Sequence, residues 1–154
     1  MSAVEAIVGI SQIDKLKINN LKRNKIAKIY DKILSKSKHC EIISAPKNIY
    51  NSYHQYSFLI KNLNVKNKEK LLKYLNKEGI FCKIRFSPIH WYPAMRYYGY
   101  CGCLKGGCKK CKNLINVEYI WLNELFSLPI SPYLTENDAK YIGKKFLRYL
   151  NRLI

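Results

Sequence analysis

The clearest alternation of apolar and polar positions lies at residues 80–86, where Ile80, Cys82, Ile84 and Phe86 are set against Lys83 and Arg85. A period of two predicts a half-buried strand. Ser87-Pro88 breaks it. Pro88 and Pro93 each fix φ and lack a backbone donor, so the stretch between them is predicted as a stiff loop. That loop carries His90, Trp91 and Tyr92. A loop leaving a strand end is a common place for side chains that overhang a cleft. The plainer alternative is that Trp91 and Tyr92 cap the core and His90 is an ordinary loop histidine.

The remaining pattern predicts helices around a small sheet. Ser2 and Glu5 form a capping-box signature for a long helix over residues 1–35. Its apolar face begins with Val4, Ile7, Val8, Ile13 and Leu16 and continues through Ile26, Ile29, Tyr30, Ile33 and Leu34. The polar run at 15–25 predicts a bend, and Gly9 predicts a close approach of another backbone. Short strands are expected at 41–45 and 53–61. In the second, His54 shares parity with Tyr56, Phe58 and Ile60 and so falls on the more apolar face. A helix over 67–78, capped by Asn67 and closed by Gly79, buries Leu71, Leu72 and Leu75. A helix over 114–126 uses Val117, Ile120, Trp121 and Leu125. Pro129 limits 128–130 to an edge strand. Thr135 and Asp138 open a last helix built on Ile142, Phe146, Leu150 and Leu153. This order implies an α+β fold: one domain over residues 1–154, with a small mixed or antiparallel sheet covered by helices.

Composition narrows the class. A hydrophobic content of 48% supports a packed core and excludes a disordered chain. No apolar run approaches the ~20 residues of a membrane helix, and no signal peptide is visible, so a cytoplasmic location is expected. The net charge of +18 raises nucleic acid as a partner. Two features weigh against it. Only five basic residues are arginines, and the lysines spread along every helical segment as solvated faces would.

Residues 101–111 form a cysteine-rich knuckle within a loop. Cys101, Cys103, Cys108 and Cys111 are spaced C-x-C-x4-C-x2-C. Four thiolates suit a closed structural zinc site. The same residues equally suit a cluster of reduced surface thiols. A zinc held by all four would have no open coordination position, so the knuckle carries no catalysis.

Several stretches, in order, resemble the C-terminal half of the DegT/DnrJ/StrS sugar aminotransferases, pyridoxal-phosphate enzymes of fold-type I. They are the start through Ala6-Ile7-Val8-Gly9 and Gln12-Ile13 to Arg23 and Tyr30-Asp31, then Ser52-Tyr53-His54-Gln55-Tyr56, residues 71–85, Pro88-Ile89-His90-Trp91-Tyr92-Pro93, and Leu128-Pro129-Ile130-Ser131-Pro132 with Leu134-Thr135-Glu136. The resemblance implies the small C-terminal domain of such enzymes.

What the resemblance implies for function is limited by what it covers. The family's Schiff-base lysine and most phosphate and pyridine contacts lie in its other half. No catalytic residue is therefore assigned here, and cofactor contacts are unknown. Transamination needs a lysine that holds the cofactor and shuttles a proton, so this chain is not expected to be active alone. The expected role is the C-terminal part of a sugar-nucleotide aminotransferase in amino-sugar or polysaccharide biosynthesis, as a split subunit or a gene remnant. An N-terminal pyridoxal-phosphate chain or a full-length paralogue would be its partner. By resemblance, His54 and His90, with Tyr53 and Trp91 beside them, lie toward the sugar-nucleotide cleft. The rival reading is a basic zinc-knuckle module that binds nucleic acid.

Overall fold

The computed structural model describes residues 1–46, 48–82, 84, 86–102 and 111–154. Helix α1 spans Ala3–Leu34 and opens on the expected reciprocal cap, with the Glu5 amide donating to Ser2 Oγ and the Ser2 amide to Glu5 Oε2. It runs without interruption through the polar stretch where a bend was expected. Only its last part is embedded: Ile26, Ala27, Tyr30 and Leu34 are buried. Val4, Ile7, Ile13 and Leu16 are all more than half exposed. Gly9 faces open space, while Gly143 provides the close approach. A Cβ at Gly143 would stand 2.9 Å from Ile33 Cδ1, so its absence lets the last helix settle against α1.

The sheet has three strands, β1 (Cys40–Ile42), β2 (Tyr56–Ile60) and β3 (Leu125–Leu128), in the order β1-β2-β3 with both pairings antiparallel. Phe58 lies opposite Phe126, and Cys40 opposite Ile60. Tyr56, Phe58 and Ile60 alternate inward as a period of two demands. They meet α1, helix α2 (Val65–Lys77) and helix α4 (Glu136–Leu153), so one layer of helices covers one face of the sheet. The α+β class with a long leading helix is therefore observed. Helix α4 carries its expected capping box between Thr135 and Asp138.

The strands expected at 41–45 and 53–61 are shorter, Cys40–Ile42 and Tyr56–Ile60, and other expected elements differ as well. Residues 80–86 add no strand among the described residues. Ile80 and Cys82 reach the core, but their amides bond locally, to the Leu75 and Ile80 carbonyls, and Phe86 turns out to φ +53° and is 72% exposed. The edge strand expected after Leu128 lies before Pro129 instead, because the proline cannot donate to a ladder and so ends β3. The cap of α2 is Asn64, whose Oδ1 accepts from the Asn67 amide. The helix expected over 114–126 is shorter and tightens and widens within one segment, as α3 (Ile115–Tyr119) followed by a π-helical turn over Ile120–Glu124.

Candidate functional site

Two places gather the polar side chains that the chemistry needs. The first is a cavity of about 410 Å³ where β3 ends. Pro129 forces the chain to leave the sheet, and residues 127–132 then form one wall. Arg23 from α1, His54 and Gln55 from the approach to β2, and exposed Phe81 form the rest. Tyr53 adopts φ +46° and its amide bonds to Asn51 Oδ1, a local turn that delays the strand until Tyr56. His54 therefore lies before β2 and is exposed, not on the core face that its parity suggested. Tyr53 packs its ring against Tyr56 at 6.2 Å. Burial, and then Asp31 nearby, raise its phenol above the ordinary value.

Arg23 is held by its neighbours. Its Nε donates to the Ser52 carbonyl at 2.9 Å and its Nη2 donates to Asn20 Oδ1. The buried Nε2 of Gln55 has no acceptor among the described residues. Above the cavity, Tyr30 donates to the Pro129 carbonyl at 2.7 Å, which ties α1 to the same wall.

The second place is built around Glu118. Its Oε1 lies 2.7 Å from His90 Nε2 and accepts from Trp91 Nε1 at 2.9 Å. His90 and Trp91 are 2% and 6% exposed. A single carboxylate oxygen thus pins the proline-bounded loop, which holds a 3-10 turn over Ile89–Trp91 and leads into a second over Pro93–Tyr98. The His90 contact, then the Trp91 contact, hold the Glu118 carboxyl below the usual carboxylate range. Trp91 meets Trp121 edge to face at 5.3 Å. Under Trp121, the ammonium of buried Lys68 donates to the carbonyls of Trp121 and Leu122. Neither Glu118 nor Lys68 stood out in the sequence, since each finds its partners far along the chain.

The structure therefore separates the two histidines. His54 lines the cavity, whereas His90 and Trp91 are tied to Glu118 elsewhere and do not line it. Because the chain's two tryptophans are both in this cluster, its fluorescence reports it directly. Glu118→Leu should strip the acceptor from both rings. It should shift the emission to longer wavelength and cost about 1–2 kcal/mol in urea unfolding. An unchanged spectrum would mean that the carboxylate does not hold the loop.

Among the described residues, no lysine lines the cavity. Buried Lys68 is committed to two carbonyls. The described residues thus provide no fit for a covalently held pyridoxal phosphate. The cysteine knuckle is only partly described. Cys103 and Cys108 lie outside the described residues, and Cys101 and Cys111 bring their sulfurs to 3.0 Å. No group of three or more candidate metal ligands occurs among the described residues. Nor is any helix among them long and apolar enough to cross a membrane.

Residues 1–147 match the model of the DegT/DnrJ/EryC1/StrS aminotransferase family. An uncharacterized protein of Methanocaldococcus jannaschii is 30% identical over 141 residues, covering 90% of this chain and 34% of that protein. The UDP-4-amino-4,6-dideoxy-N-acetyl-beta-L-altrosamine transaminase of Campylobacter jejuni is 28% identical over 153 residues, covering 99% of this chain and 38% of that enzyme. Thus the chain spans about a third of the length of the curated relatives it matches. Among solved structures, a sugar aminotransferase of Streptococcus pneumoniae in its PMP form superposes with a TM-score of 0.84 at 18% identity, over all of this chain and 36% of that one. The Helicobacter pylori aminotransferase of pseudoaminic acid biosynthesis gives 0.73 at 21% identity, over 94% and 36%. These similarities favour an aminotransferase origin over a nucleic-acid-binding module.

Proposed function

The chain belongs to the DegT/DnrJ/EryC1/StrS aminotransferase family, and from that premise we propose that it forms the C-terminal part of a pyridoxal-phosphate-dependent sugar-nucleotide aminotransferase. The lysine that holds the cofactor would lie on a separate part outside these 154 residues. One observation carries this reading: in the first half of α1, Val4, Ile7, Val8, Ile10, Ile13 and Leu16 are each more than half exposed and point to all sides of the helix, so apolar side chains ring the rod among the described residues. Apolar surface on that scale is characteristic of an interface. The cofactor supplies electron withdrawal from the amine-bearing carbon when bound. This chain's share is to shape and position. His54 would contact the substrate from the cavity, Tyr53 would brace it, and His90 and Trp91, fixed by Glu118, would hold the loop that bounds the cleft.

Reconstitution tests the proposal. The chain should be mixed with the lysine-bearing N-terminal portion of the Campylobacter relative and with pyridoxal phosphate. The mixture should form a complex, show the visible absorbance of lysine-bound cofactor, and move an amine onto a sugar nucleotide. The chain alone should do neither. Transamination by the chain alone would overturn the proposal, as would failure to form a coloured complex with any lysine-bearing part, including a full-length paralogue.

A further inference from the structure

We propose that the cavity at the end of β3 binds an anionic oxoacid group, with Arg23, Gln55 and His54 as its donors. Its lining includes no aspartate or glutamate. The guanidinium of Arg23 has five N–H donors, and the hydrogen bonds to Ser52 and Asn20 use two of them. Those two bonds fix the plane of the group, and no carboxylate pairs with it among the described residues. Beside it, Gln55 Nε2 is buried and has no acceptor. A buried donor without a partner is costly, and an oxygen of a bound ligand would satisfy it. The exposed imidazole of His54 adds a third donor at the mouth.

Three donors without a countercharge call for a negative acceptor, and a chain of net charge +18 draws anions toward it. Phe81, 70% exposed, lines the same cavity and offers a flat apolar face. At about 410 Å³ the space exceeds a lone oxoanion and falls in the range of small-molecule sites. The chemistry could come from the diphosphate of a sugar nucleotide or from the carboxylate of an amino-acid amine donor. That choice of sources rests on the function proposed above, whereas the anion site stands on this chain's own residues.

The test is titration of the full 154-residue chain with uridine diphosphate, inorganic phosphate and glutamate, followed by NMR of the His54 ring and the Gln55 side-chain amide. At least one probe should shift both signals. A preference for uridine diphosphate identifies the nucleotide as the source, and a preference for glutamate identifies the amine donor. Arg23→Gln and Gln55→Leu should each weaken binding about tenfold, while Lys140→Gln on the exposed face of α4 should leave it unchanged. No shift at either residue with any probe at millimolar concentration would overturn the proposal. So would equal weakening by Lys140→Gln, which would indicate diffuse attraction to the basic surface. A reconstituted enzyme that keeps its colour and activity while the chain binds no anion would sink the anion site alone. Anion binding without any coloured complex would sink only the proposed function.

Discussion

Phe58→Ala should cost about 3–5 kcal/mol of unfolding free energy, since it empties a large fully buried site. Phe58 sits at the centre of β2, fully buried, with its ring 5.3 Å from Phe146 edge to face and 6.0 Å from Phe126. Its side chain thus joins β3 and the covering helix α4 to the middle strand. Domains of this kind are stable by only about 5–15 kcal/mol, so the loss would be a large fraction of the total. The melting temperature should fall by about 10 °C. Because β3 runs directly into residues 127–132, the cavity wall should loosen as well. A melting curve that matches the unmodified chain would show that the core is arranged differently.

Lys68→Ala is expected to cost about 3 kcal/mol, by orphaning two carbonyls and removing a buried stem. Lys68 is 4% exposed and stands 5.7 Å from the centre of the Trp121 ring. The π-helical turn leaves the Trp121 and Leu122 carbonyls available to a side chain, and the ammonium closes that end of the helix. Burial pushes the ammonium down to about 8 from an ordinary 10.5. The sign of the pH dependence follows. Below about pH 8 the lysine is protonated both folded and unfolded, and contributes no slope. Between about 8 and 10.5 the unfolded chain holds a proton that the folded chain has released. Stability contributed by this residue therefore rises with pH across that window. Lys68→Met lacks the proton, so the stability of the unmodified chain relative to this variant should increase from pH 8 to 10. Parallel pH profiles in urea titrations would contradict it.

Local chemistry was the most legible part of the sequence. The boxes Ser2/Glu5 and Thr135/Asp138 involve residues three apart, so nothing distant could overrule them. The inward row of α4, Ile142, Phe146 and Leu150, was readable for the same reason. The alternation at 80–86 told which side chains go inward, and Ile80 and Cys82 do. It could not tell where the backbone amides would bond, and those of Ile80 and Cys82 bond locally, to the Leu75 and Ile80 carbonyls. His54 was misplaced because parity counts only inside a strand, and the turn at Tyr53 delays that strand to Tyr56. The Glu118 clamp joins residues 27 and 28 apart, and the Lys68 bonds span 53 and 54. Such pairings depend on how the loop and the helices pack, and no periodicity announces them.

Helix α1 also behaves as a pointer. Its embedded end is latched by two phenols, Tyr30 to the Pro129 carbonyl and Tyr56 to Asp31 at 2.6 Å. Its free portion, residues 3–22, extends about 30 Å beyond the Arg23 and Asn24 contacts with the chain at 51–52. A rod of that length turned by about 5° at the latch carries Val4 through about 3 Å. Removing either hydroxyl would therefore be felt most at the tip, where any body resting on the helix would be re-aimed without a single core contact being lost.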